Sequence, residues 1–83
     1  MTITNIYQFW SDTLTQWVVY SYVAGGQLRG HGISIDLAIK NLRKKAAGRK
    51  IEVLKEPILK PAPDATVKEY EKYFKAKLRQ VGV

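Results

Sequence analysis

The residues best equipped for chemistry lie together near the middle of the chain. Positions 25–34 read GGQLRGHGIS, which sets Arg29 and the only histidine, His31, among four glycines. Directly after them comes IDLAIKNLRKKAA, a stretch with helical spacing. Glycines ahead of a helix can turn free backbone N–H groups towards an anion. This run, however, is neither Gly-x-Gly-x-x-Gly nor a phosphate loop ending in Gly-Lys-Ser/Thr, and Asp36 already sits at the positive end of the helix dipole. His31 has no nucleophile at a recognisable spacing, and the carboxylates are scattered without forming a close pair. With no cysteine and one histidine, the chain has no disulfide, no thiolate and too few ligands for a zinc site. We therefore expect no catalytic residue, no metal and no cofactor.

Charge is the stronger signal. The net charge is +7, and it is unevenly placed. Residues 1–33 contain only Arg29 and Asp12, so the 13 Lys/Arg and 6 Asp/Glu of residues 34–83 carry the whole excess. Lys40, Arg43, Lys44, Lys45, Arg49 and Lys50 crowd one helix end and the start of the next segment. Such a cluster can meet successive phosphates. Tyr20 and Tyr22, with Tyr7 beside them, could stack unpaired bases if their sheet face is open. With Arg29 these residues make up the candidate nucleic-acid-binding set. A plainer reading makes the lysines a solvated helix end favoured by the dipole, and the tyrosines core under a helix. The expected partner is DNA or RNA. The alternative is a protein whose strand pairs with an exposed sheet edge.

The elements that must position these groups are legible from periodicity. Residues 3–11 fit two patterns, since Ile3, Ile6, Tyr7, Trp10 and Leu14 have helical spacing while Ile3, Tyr7 and Phe9 can share one face of a strand; aromatic and β-branched enrichment favours the strand. In residues 15–24, Trp17, Val19 and Val23 alternate with Val18, Tyr20 and Tyr22. Gly25–Gly26 signals a tight turn with positive φ, so residues 27–33 return antiparallel. Gly30 and Gly32 bare one face of that strand and mark a bulge or a close backbone approach. Ser34 caps a helix over 34–47, buried along Ile35, Ala38, Ile39, Leu42 and Ala46, with Gly48 as the residue that ends it. Residues 50–56 form a fourth strand, parallel to an earlier one after the crossover. The segment 57–63, PILKPAP, is expected to be an extended, unpaired connector. Thr66-x-x-Glu69 reads as a capping box ahead of a last helix with the stripe Val67, Tyr70, Phe74, Leu78 and Val81.

The result is one domain over 1–83, a two-layer α+β fold of order βββαβα, with the last helix free to take either face of the sheet. A chain of this size buries about 60% of its unfolded surface. Apolar runs such as WVVY are far shorter than the roughly 20 residues of a membrane span. The start MTITNIYQFW shows neither a basic nor a long apolar signal region. No membrane association and a cytoplasmic location are expected.

The segment Gly30-His-Gly32-Ile-Ser34-Ile-Asp36-Leu-Ala38-Ile-Lys-Asn41-Leu42 resembles the strand-to-helix junction of HicB-like antitoxin domains. The resemblance implies a partial RNase H arrangement of three strands, helix and strand, and an antitoxin-like module that pairs a sheet edge with a protein partner. The Pro-Gly-Cys-type segment and any appended DNA-binding domain of that family are missing, and the catalytic acids of RNase H do not occur at matching positions. Gly30, Gly32, Ser34 and Ala38 are also similar to the last strand and helix of double-stranded-RNA-binding domains. There Ile35 and Asp36 stand where that family has lysines.

Overall fold

Alternation and turn chemistry dictate the meander that opens the chain. The structure is a computed structural model and describes residues 1–81, Val81 by its backbone alone, so this last member of the expected stripe lies outside the described side chains. Strands β1 (Thr2–Ser11), β2 (Gln16–Val23) and β3 (Gly26–Gly32) are followed by α1 (Ile35–Gly48), β4 (Glu52–Pro61) and α2 (Asp64–Val81). The sheet order is β3-β2-β1-β4, with β4 parallel to β1 and the other pairs antiparallel. This is the expected α+β order. The two-residue β2–β3 turn is Ala24–Gly25, one position earlier than expected, with Gly26 already paired to Val23; Gly25 and Gly26 stand at φ 88° and 150°, conformations that cost glycine little.

Gly30 and Gly32 determine how α1 lies. A Cβ on Gly30 would come 2.6 Å from the Leu42 backbone N and would overlap the Ala38 carbonyl oxygen. One on Gly32 would come 2.7 Å from the Ala38 N. The helix backbone thus rests directly on β3, and the stripe Ala38, Leu42 and Ala46 closes a core with Ile3, Ile6, Val19, Val23 and Leu28. Ser34 caps this helix as expected, its Oγ accepting from the Leu37 N–H at 3.2 Å.

Of the two faces open to it, α2 takes the far one, so a helix covers each side of the sheet and a third layer is added. Phe9, Val18 and Tyr20 from the strands meet Tyr70 and Phe74 of α2. Ring centroids stand 5.2 Å apart for Tyr20 and Tyr70 and 5.5 Å for Phe9 and Tyr70. Glu71 ties the helix to the β1–β2 turn by accepting from the N–H and the hydroxyl of Thr13.

Four further local expectations are corrected. Ile3 does not share a face with Tyr7 and Phe9. The β1–β4 register shifts between Ile3 and Asn5, so Ile3 joins Ile6 under α1 while Phe9 faces α2. The segment 57–63 is extended but not unpaired, since Ile58 to Pro61 run alongside Asn5 to Gln8 as the second half of β4. Thr66-x-x-Glu69 is not a capping box. The helix already begins at Asp64, with the Val67 N–H bonded to the Pro63 carbonyl at 3.0 Å. Gly48 belongs to α1, and the left-handed residue that ends the helix is Lys50 at φ 57°. There the N–H groups of Lys50 and Ile51 bond back to the carbonyls of Ala47 and Ala46 at 3.1 and 2.8 Å, the pattern of a Schellman cap.

Two stability measurements check this packing. Gly30→Ala should lower the unfolding free energy by about 2 kcal/mol or more, because backbone on both sides leaves the methyl no room. Lys50→Gly should raise it by about 0.5–1 kcal/mol, relief of the left-handed strain outweighing the added freedom of the unfolded chain. Urea titration of each variant gives both values.

Candidate nucleic-acid interface

Burial of Ala38, Leu42 and Ala46 against the sheet turns the opposite side of α1 outward. Lys40 and Lys44 are exposed there, Lys45 is exposed on the flank towards β3, and Arg49 and Lys50 are exposed just past the helix end. Lys40 and Lys44 follow each other by one helical turn, about 6 Å along the axis. No carboxylate occurs between Asp36 and Glu52, so nothing in that stretch of chain neutralises the row.

Two members of the candidate set are engaged elsewhere. Arg43 lies on the flank of α1 that faces β4, and its guanidinium donates to the carbonyls of Val53, Leu54 and Lys55 at 3.4, 2.7 and 3.0 Å. Those of Leu54 and Lys55 belong to the part of β4 that loops out where Thr4 alone stands opposite residues 54–57, so Arg43 satisfies backbone that the sheet leaves unpaired. On the other side of the same irregularity, Ser21 Oγ donates to the Asn5 carbonyl at 2.9 Å. Tyr20 is fully buried in the aromatic layer and has no face for a base. Tyr22 is 53% exposed, but by strand alternation it lies on the α2 side of the sheet, away from the α1 row. The structure thus separates the tyrosines from the lysines.

A second gathering forms along the outer edge of β3. Arg29 points to the α2 side, with its guanidinium carbon 5.0 Å from the Tyr73 ring centre and 5.5 and 5.7 Å from those of Tyr70 and Phe74. His31 follows on the same face, edge-on to Phe74 at 5.7 Å. Asn41, Lys44 and Lys45 line a pocket on the α1 side of His31. Arg29, Tyr73 and Lys77 line a separate pocket on its α2 side. His31 thus stands between Lys44 and Lys45 from α1 and Arg29, Tyr73 and Lys77 on the α2 side. The spacing of Tyr73 and Lys77 puts them on one helix face, yet only the placement of α2 brings them to this edge, so the sequence offered no signal for them.

No family model, curated protein or solved structure matches the chain. Among the described residues no group of three His, Cys, Asp or Glu could hold a metal ion, and no helix is long and apolar enough to cross a membrane.

The electrostatics of the edge follow from its cations. Burial, then Arg29 and Lys45, hold the His31 imidazole below its usual value. Hydrogen bonding and charge from Lys77 and Arg29 lower the Tyr73 phenol. Burial pushes the Tyr70 phenol up to about 12, and that hydroxyl donates to Gln27 Oε1.

His31 carries a pH dependence of known sign. Its folded pKa lies below the unfolded value of about 6.5, so on acidification the unfolded chain takes the proton first. Stability is complete above about pH 6.5 and falls as the pH drops through the folded pKa. Glu71 acts at lower pH. Burial would raise its carboxyl, but bonds from Ser11 and Thr13 outweigh that and hold it down, so its contribution is lost only below about pH 4.5. The urea midpoint should decline between about pH 6.5 and 5 in the wild type and stay nearly flat there in His31→Gln. An equal decline in both proteins would remove His31 as the cause.

Proposed function

We propose that this protein is a small, non-enzymatic, cytoplasmic module that binds nucleic acid, with the outward side of α1 against the phosphates. One observation carries the reading: Lys40, Lys44, Lys45, Arg49 and Lys50 are all exposed on one rigid helix and its C-cap, in a stretch of chain without a single acid. A helix pinned along β3 by backbone contact presents these charges at fixed spacing, which lowers the ordering cost of meeting a regular polyanion. Phosphate contact of this kind gives affinity without sequence preference. The functional set therefore loses Arg43 and Tyr20 and keeps Arg29 as part of the β3 edge.

A protein partner is the second reading. It is favoured by the bare β3 edge and by the HicB-like resemblance of residues 30–42, whose implied element order agrees with the one observed here.

Fluorescence anisotropy with 20-nucleotide single strands and 20-base-pair duplexes tests the first reading. Affinity should fall steeply as salt is raised from about 50 to 200 mM, and Lys40→Ala/Lys44→Ala/Lys45→Ala should reduce the log–log slope by about 2–3, close to one unit per lost phosphate contact. Arg43→Ala should leave the slope unchanged while costing about 1–3 kcal/mol of stability, because the carbonyls of 53–55 lose their donor. Absence of wild-type binding at low salt would refute the proposal.

A further inference from the structure

We infer that the outer edge of β3 is a strand-acceptor site for an extended acidic segment of a partner protein, adjoining the phosphate-facing row of α1 and sharing Lys44 and Lys45 with it. The direction of the edge groups comes from one hydrogen bond. Asn41 Nδ2 donates to the His31 carbonyl at 2.6 Å, so His31 turns its backbone away from β2. In an antiparallel ladder the N–H and C=O of one residue point the same way and alternate along the strand. Arg29 and Gln27 therefore also present both groups outward, while Leu28, Gly30 and Gly32 bond to β2 opposite Ser21, Val19 and Trp17.

Asn41 caps the His31 carbonyl, but the N–H of His31 and both groups of Arg29 and Gln27 stay uncovered, because the side chains of the strand itself are drawn off the edge. The Gln27 side chain is held by the Tyr70 hydroxyl. Arg29 lies over the rings of Tyr73, Tyr70 and Phe74, and His31 packs on Phe74. On the other face Leu28 is buried, and Gly30 and Gly32 have no side chain. An unpaired row of backbone groups is a template for strand addition, and proteins commonly block it with prolines, bulges or charges.

The opposite edge of this sheet is blocked in that way. β4 carries Pro57 and Pro61, which cannot donate, and its residues 54–57 loop out of register with Arg43 bonded to their backbone. β3 has no proline and a continuous register with β2 from Gly26 to Gly32. The bare edge is thus the one flanked by the two helices.

Charge selects the occupant. The edge is rimmed by Lys44 and Lys45 on the α1 side and by Arg29 and Lys77 on the α2 side. One acid, Glu69, shares a pocket with Gln27 and Arg29 at the turn end of the edge, so the cationic character is greatest at the His31 end. A second copy pairing β3 with β3 would bring two such rims together on chains of +7 each, which like-charge repulsion disfavours. An acidic strand neutralises the rim and supplies the missing backbone partners at once.

The test uses the full chain and two synthetic peptides of equal charge, EVEVTVE and the same peptide N-methylated at alternate residues. The unmodified peptide should slow amide hydrogen exchange at Gln27, Arg29 and His31 and leave β4 unaffected. N-methylation should weaken binding by about tenfold or more, as loss of one or two backbone hydrogen bonds requires. Equal affinity of both peptides, or no protection at those amides, would overturn the inference and leave only a non-specific anion surface. Titration with oligodeoxythymidine separates this from the nucleic-acid reading. Its binding should respond to Lys40, Lys44 and Lys45 without protecting the β3 amides, and protection of those amides by the oligonucleotide would also overturn the inference.

Discussion

The contact of α1 with the glycine floor of β3 is the constraint on which the other features depend. Because Gly30 and Gly32 offer no Cβ, the helix backbone descends until Ala38 and Leu42 meet the strand. Directly beneath so close a helix the fully buried core holds Ile, Val, Leu and Ala, with Trp17 packed only at its margin. The buried rings Phe9 and Tyr20 lie on the other face, where they need a cover of their own. α2 provides it through Tyr70 and Phe74, and the aromatic layer stands between that helix and the strands. The two sides of one sheet thus differ in thickness and chemistry because of two residues on one strand.

The same constraint shapes both charged surfaces. Pinning Ala38, Leu42 and Ala46 downward leaves Lys40 and Lys44 pointing out, brings Asn41 and Lys45 to the β3 side and turns Arg43 towards β4. Cations that are neighbours in sequence thereby take on different roles. Arg43 offsets the broken register of β4, where unpaired carbonyls would otherwise be left without donors. On the far face Arg29, the single cation of the first 33 residues, lies against Tyr70, Tyr73 and Phe74. Contacts of this kind are worth roughly 0.5–1 kcal/mol at exposed sites, enough to hold its side chain off the strand edge without neutralising it.

How much of this could be read beforehand depends on the range of the interaction. The alternation of Trp17, Val19 and Val23 against Val18 and Tyr20 is local, and so are the positive φ values of Gly25 and Gly26 and the cap at Ser34. Each was legible from the sequence and each is observed. The close approach at Gly30 and Gly32 was also legible, since glycines at alternate positions strip one face of a strand and let a neighbouring backbone descend onto it. The irregularity opposite Thr4 was not, because a parallel register between residues some 50 positions apart depends on where α1 delivers the chain. The burial of Tyr20 and the exposure of Tyr22, two residues apart on one face, depend on where α2 ends its cover. Tyr73 and Lys77 were missed for the same reason, and Lys50 took the left-handed position that composition assigned to Gly48.

The two sheet edges show how charge substitutes for steric guarding. β4, broken and proline-bearing, is protected by its own backbone. β3 must remain smooth and glycine-rich to seat α1, so it can carry neither a bulge nor a proline in that stretch without lifting the helix. Its remaining protection is the cationic rim, which acts against another copy of the same chain and against any other basic strand. That form of guarding is selective, because repulsion that keeps like chains apart becomes attraction for an acidic segment. On the proposed reading, an edge kept smooth by the demands of helix packing and guarded mainly by charge admits an acidic strand by the same physics that closes it to basic ones.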